Sequence, residues 1–181
     1  MKRYKVTSQK TVSSGGVRYY MPTIIVVSLG LLAAIIFLGY MIRKKTPATF
    51  ETVWETVKDH GFTPSDTTED NKTFFNGIEK CLAFKSGDIN FLFFTSVDAS
   101  HAADVYVNSL APKIRELTNQ RTDPYRNRRG EFNTNYATLA LKGEGKWGIA
   151  YYVGNTGGYA WCDEENKDVL IAILKDIGYL D

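Results

Sequence analysis

Apolar and polar positions divide the chain into three regimes. Residues 1–18 are basic and Ser/Gly-rich with little apolar periodicity, the pattern of a short disordered tail. Residues 23–42 then read TIIVVSLGLLAAIIFLGYMI without a charge, and Arg43, Lys44 and Lys45 close the run at once. About 20 helical residues, at roughly 1.5 Å each, cross a hydrocarbon layer of about 30 Å. No water satisfies backbone N–H and C=O groups inside that layer, so the run predicts a helix. Tyr19, Tyr20 and Tyr40 carry amphipathic rings suited to the headgroup level. The expected organisation is a tail over residues 1–18, a single transmembrane helix with flanks over 19–45, and a soluble domain over 46–181.

Within the domain the periods shorten and alternate. Phe50, Val53, Trp54 and Val57 recur at i, i+3, i+4 and i+7, one stripe of a helix. Thr46 is its expected cap, Pro47 its first residue, and Gly61 its stop. Few residues separate this helix from Lys45, which predicts a domain held close to the bilayer. Residues 64–72 (PSDTTEDNK) read as an acidic loop. Strands over 79–85 and 89–96 flank the turn residues Ser86-Gly87-Asp88 and predict a hairpin. Asp98 or Ser100 then caps a helix placing Ala103, Tyr106, Val107, Leu110, Ile114 and Leu117 on one face, with Pro112 interrupting it. Residues 119–135 form a polar loop. Strands return over 136–142 and 147–153, and a shorter one over 159–162 follows the Gly154-Asn155-Thr156-Gly157-Gly158 turn. Asp163 opens a last helix whose apolar face is Val169, Leu170, Ile173, Leu174 and Ile177, ended by Gly178. Two successive hairpin-plus-helix units predict an α+β fold: a two-layer sandwich with an antiparallel sheet and its helices on one face.

Charge sharpens the division. The net charge is +2, yet all 20 Asp/Glu follow residue 46, together with 14 of the 22 Lys/Arg. The domain is therefore acidic and argues against nucleic acid, whereas the basic end suits an anionic lipid surface. Five basic residues precede the apolar run and three follow it, which predicts a cytoplasmic N-terminus and an extracytoplasmic domain. The tight Arg43-Lys44-Lys45 cluster argues for the reverse, a cytoplasm-facing membrane adapter. Cleavage of the run as a secretory signal is disfavoured, because Tyr40-Met41-Ile42-Arg43 is no small-residue cleavage site and Ala33-Ala34 is the one alternative.

Candidate chemistry is sparse. His60, Cys81, His101 and Cys162 lie 20 or more residues apart, which is not the paired spacing of a zinc site. Ser100-His101 sits in no nucleophile turn, Glu69-Asp70-Asn71 lacks a calcium-loop pattern, and the glycines belong to hairpin turns rather than a phosphate cradle. No cofactor and no metal are expected. An even pair of cysteines in an extracytoplasmic domain predicts a Cys81–Cys162 disulfide, and two buried thiols are the other reading. Arg121, Arg126, Arg128 and Arg129, with Tyr125, form a basic loop in an acidic domain. Guanidinium forks suit carboxylates and phosphates, so an envelope protein or anionic polymer is the partner class, beside the bilayer itself; solubility alone would also explain such a loop. Gly30 and Ala34 form a small-xxx-small pair that would let two membrane helices approach, and ordinary bilayer solubility without dimerisation is the favoured reading of the same residues.

Three features carry a resemblance: His60-Gly61-Phe62 at the end of the entry helix, the Gly154-Asn155-Thr156 turn, and Glu165-Asn166-Lys167-Asp168 leading into residues 173–179 (ILKDIGY). Over roughly residues 48–181 the chain resembles an uncharacterised membrane-anchored α+β domain family of clostridia and related Gram-positive bacteria. The chain departs from that pattern at Gly157-Gly158, where β-branched residues are expected. The resemblance implies a cell-envelope setting and carries no activity. The resulting expectation is a single-pass envelope protein with a non-enzymatic binding or accessory domain. The rivals are an envelope enzyme using scattered carboxylates and the cytoplasm-facing adapter.

Overall fold

The computed structural model describes residues 17–41, 44–72, 76–119 and 135–180. The chain forms two units, Met1–Met41 and Ile42–Asp181. In the first, α1 (Val17–Met41) is a 25-residue helix. Its large apolar side chains Ile25, Val26, Val27, Leu29, Leu31, Leu32, Ile35 and Ile36 are each more than half exposed, in all directions around the axis. Among the described residues no helix is long and apolar enough to cross a membrane.

The second unit is an α+β fold built on one six-stranded antiparallel sheet. Its elements in chain order are α2 (Phe50–Asp59), β1 (Ser65–Asp66), α3 (Thr68–Lys72), β2 (Ile78–Ser86) and β3 (Ile89–Ser96). Then follow α4 (Ala99–Val105), a π-helical turn (Tyr106–Leu110), α5 (Ala111–Leu117), β4 (Tyr136–Gly143), β5 (Lys146–Val153), β6 (Thr156–Asp163) and α6 (Lys167–Asp176). Strand order is β1-β2-β3-β6-β5-β4, so the β2–β3 hairpin and the β4-β5-β6 meander are joined along a β3–β6 seam.

Helices cover both faces of this sheet, which corrects the two-layer expectation. Register explains why. Leu82, Phe84, Phe91, Phe93, Ile149 and Tyr151 point to one face and pack with Val53 and Val57 of α2 and Leu170, Ile173 and Leu174 of α6. Cys81, Leu92, Phe94, Leu139, Leu141 and Ala150 point to the other and pack with Ala102, Val105, Leu110, Ala111 and Ile114. Phe93 and Phe94 are adjacent in sequence and both 0% exposed, which only a sheet covered twice allows.

Four local expectations are also corrected. α2 begins at Phe50 rather than at Pro47, because the Thr49 hydroxyl accepts from the Thr52 N–H and caps it. Residues 64–72 hold β1 and α3 rather than a plain loop. The π turn adds a residue before Pro112, whose missing N–H it accommodates; the buried face then runs through Ala102, Val105, Leu110, Ala111 and Ile114, and Val107 is 60% exposed. β6 is a full eight-residue strand that includes Gly157 and Gly158. A Cβ at Gly158 would fall inside the Leu92 carbonyl oxygen and 2.6 Å from the Tyr151 hydroxyl. The absent side chain lets the Tyr151 ring cross β6 and donate to the Leu92 carbonyl on β3 at 3.2 Å.

Candidate functional site

The two edges of the sheet are finished differently, and the difference locates the site. On one side β1 is two residues long, the Thr67 N–H donates to the Cys81 carbonyl at 2.9 Å, and the Cys81 N–H donates to the Thr68 hydroxyl at 2.9 Å. With α3 packed beside it, that edge is blunted. On the other side β4 is eight residues long (YATLALKG), pairs with β5 in unbroken register, and has no strand on its outer side among the described residues. It contains no proline and one charge, Lys142, whose ammonium lies 3.1 Å from Glu164.

Turn geometry decides which groups β4 presents. Glu144 (φ 52°) and Gly145 (φ 75°) make a two-residue hairpin closed by Gly143 and Lys146. Such a turn closes on a mutually hydrogen-bonded pair, and hydrogen-bonded pairs then alternate along the ladder. Gly143, Leu141, Leu139 and Ala137 therefore aim their backbone groups at β5. Tyr136, Thr138, Ala140 and Lys142 aim theirs outward. The Asn135 carbonyl continues the alternation, accepting from the Gly154 N–H at 2.6 Å.

Asn135 also anchors a strap formed by residues 44–49. Its side-chain oxygen accepts from the Lys45 N–H at 3.1 Å, and its amide donates to the Lys45 carbonyl at 2.8 Å. The Lys45 ammonium donates to the Tyr179 carbonyl at 2.9 Å and lies 5.4 Å from the Tyr136 ring centre. The Tyr179 hydroxyl accepts from the Ala48 N–H at 3.0 Å and shares a hydrogen bond with the Thr156 hydroxyl. Burial raises the pKa of Tyr179, so the phenol stays neutral and available to these partners. Beside the strap, Phe50, Glu51, Lys80, Thr95 and Asn155 line an open cleft of about 540 Å³. Glu51 and Lys80 meet there at 2.6 Å, and the Lys80 hydrogen bond holds the Glu51 carboxyl below its ordinary range.

The other sequence-derived candidates fall as follows. Cys81 and Cys162 are free and buried. Cys81 belongs to the core on one face and Cys162 to the core on the other, with β3 between their strands, so the expected disulfide is not formed. Desolvation pushes both thiols up to about 11, which keeps them protonated and inert. His60 contacts Asp176 at 2.8 Å and ties the C-terminal ends of α2 and α6 together. His101 packs its ring on Gly77, with Nε2 buried and, among the described residues, without a hydrogen-bond partner. Gly30 and Ala34 lie exposed on α1, and open space surrounds the Gly30 Cα. Among the described residues no group of three or more His, Cys, Asp or Glu could hold a metal ion. Arg121, Tyr125, Arg126, Arg128 and Arg129 lie outside the described residues. Sequence reasoning missed the strap and the Asn135 clamp. The one signal was Asn135 standing immediately before a strand.

Comparison with protein-family models, with curated proteins and with solved structures returns no match to this chain.

Proposed function

We propose that the chain is a single-pass, membrane-tethered binding or accessory protein of the bacterial cell envelope, with its α+β domain outside the cytoplasm. The observation that carries the tether is α1. Its side chains from Ile25 to Ile36 are exposed among the described residues, and an apolar solvent such as the bilayer would cover them. The uncharged run over residues 23–42, basic on its C-terminal flank, supports the same reading. The binding role draws on β4, which no further strand flanks among the described residues, since a long straight strand at the end of a sheet can recruit another strand. The arginines at 121, 126, 128 and 129, which precede β4 in the chain, add an attraction for anionic groups.

The test of the tether is flotation of the full chain with liposomes after carbonate washing; recovery in the pellet rather than the lipid fraction defeats it. Protease added to intact spheroplasts should remove the domain, and digestion only after lysis would place it on the cytoplasmic side. Crosslinking in native membranes, comparing wild type with Arg126, Arg128 and Arg129 all changed to Ala, tests the basic segment. An unchanged set of partners removes it from the argument.

A further inference from the structure

We propose that an open groove on the sheet face opposite α2 and α6 binds an anionic sugar, a pyranose bearing a carboxylate or phosphate, within an envelope polysaccharide. The inference rests on the binding-domain reading above and names its ligand class. Strand register builds the groove. Ser65, Ala83, Leu92 and Tyr159 stand in one row across β1, β2, β3 and β6, and Lys85, Asn90 and Trp161 stand in the next. The α4–α5 layer stops short of these rows: Cys81 and Phe94 are fully buried, whereas Ala83, Asn90, Tyr159 and Trp161 are partly exposed and Lys85 is exposed. The space that remains runs from Ser65 and Thr67 over Ala83 and Leu92 to Lys85 and Tyr159, and holds about 260 Å³. That is below the about 300–1,000 Å³ of drug-sized sites and suits one sugar ring, with the polymer leaving through the open sides.

The polar groups around the groove select a negative charge. The Lys113 ammonium, from α5, donates to the Tyr159 hydroxyl at 2.8 Å and lies 4.2 Å from the centre of its ring. With its oxygen already accepting, the hydroxyl keeps its own proton to donate, and the ammonium keeps two further N–H groups. Among the described residues that proton has no acceptor, and neither Lys85 nor Lys113 has a carboxylate partner. The one carboxylate of β6, Asp163, is taken up by Lys146. In a domain with more acids than bases, two lysines left without carboxylates beside one tyrosine form a site for an anion. The rest of the lining asks for more than a bare ion. Ala83 and Leu92 make an apolar floor on which the C–H face of a pyranose can pack, and Ser65 and Thr67 add hydroxyls at its rim. A free inorganic anion would leave that floor unused.

The test is equilibrium dialysis of trisaccharides against the full-length chain in phosphatidylcholine vesicles at physiological ionic strength. Trigalacturonate carries carboxylates, phosphomaltotriose carries a phosphate, maltotriose is the neutral sugar, and a triglutamate peptide is charge without a sugar. Wild type is expected to bind at least one of the two anionic sugars saturably, and the tighter of them identifies the anionic group. Maltotriose and triglutamate should each bind weaker by about tenfold or more. Lys85→Ala combined with Lys113→Ala should weaken the anionic sugar by about tenfold or more, and Tyr159→Phe, which removes only the donated proton, by less. Lys175→Ala, at an exposed lysine of α6 on the opposite side of the sheet, should bind as wild type. Lys85 and Lys113 are exposed, so these variants should keep their fold, and urea unfolding checks that they do. Failure to bind either anionic sugar, equal binding of maltotriose or triglutamate, undiminished binding by the double variant, or equal loss with Lys175→Ala overturns the proposal. Flotation and crosslinking in native membranes are read in parallel. A chain that floats and keeps its partners but ignores the sugars refutes the groove alone; one with neither sugar nor partners refutes the binding reading, and one that fails to float refutes the tether.

Discussion

Replacing Gly158 with alanine adds one methyl group, and the sheet has no place to put it. The new Cβ would fall inside the Leu92 carbonyl oxygen and within 2.9 Å of the Tyr151 ring carbon that bears the hydroxyl. Leu92 belongs to β3, whose backbone is held on both sides by β2 and β6, so it cannot withdraw cheaply. Tyr151 is 0% exposed and is enclosed by its neighbours, including Tyr179 at 5.4 Å between ring centres. Overpacking a dense core costs about 1–3 kcal/mol. Expelling the Tyr151 hydroxyl from its carbonyl partner adds about 1–3 kcal/mol for a buried unsatisfied donor. Gly158→Ala should therefore destabilise the domain by roughly 2–6 kcal/mol, a large part of the about 5–15 kcal/mol a domain holds. Gly157→Ala should cost less, about 1–3 kcal/mol, because its Cβ meets the far edge of the Phe94 ring at 2.7 Å. Urea unfolding followed by the fluorescence of Trp54, Trp147 and Trp161, all in the domain, reads both values. Tyr151→Phe removes the hydroxyl and not the Leu92 carbonyl, so it should rescue Gly158→Ala only in part. A cost below about 1 kcal/mol for Gly158→Ala, or complete rescue by Tyr151→Phe, would show that the backbone approach is not the constraint.

Three further outcomes are expected. Tyr179→Phe leaves the Ala48 N–H and the Thr156 hydroxyl without their shared partner, and should cost about 1–3 kcal/mol in urea together with faster hydrogen exchange over residues 44–49. Cys81 and Cys162, with pKa values pushed up to about 11, should give no reaction with a thiol reagent at pH 8 while folded and two equivalents after unfolding without reductant; none after unfolding would reveal a disulfide. Asp88 is held below its ordinary range by the Asn166 amide and then by the Asp163 N–H. A carboxyl whose folded pKa is lowered contributes stability above its unfolded value of about 3.9 and loses it as pH falls through the folded value. The stability gap between wild type and Asp88→Asn should accordingly be constant near neutrality and close during acid titration below about pH 4; a gap that widens on acidification refutes that sign.

Much of the fold was readable because local chemistry and tertiary structure agree. The Ser86-Gly87-Asp88 and Gly143-Glu144-Gly145 turns, the α2 stripe of Val53 and Val57, and the α6 stripe of Leu170, Ile173 and Leu174 stand where the sequence pattern puts them. The second helical layer was missed although residues 89–96 signalled it: a strand with one wet face does not carry Phe91, Leu92, Phe93 and Phe94 in succession. The π turn was invisible because a residue inserted in a helix leaves the composition unchanged while rotating Val107 outward. Counting cysteines could not find their faces, which depend on the β3–β6 register. The position of β4 at the end of the sheet is likewise a property of strand order, to which single-strand patterns are blind.

The β3–β6 seam has a kinetic meaning as well. Thr95 pairs with Thr156, so closing the seam joins positions 61 residues apart. Hairpins on either side of it need only short closures, and the seam is where the search for the native topology concentrates. The connection from Leu117 to Tyr136 lies inside that large loop. Loop-closure cost grows only logarithmically, by about 0.6 kcal/mol for each doubling of loop length. Lengthening the chain between β3 and β6 by a few residues should therefore change the cost of closing the seam by only a small fraction of that figure.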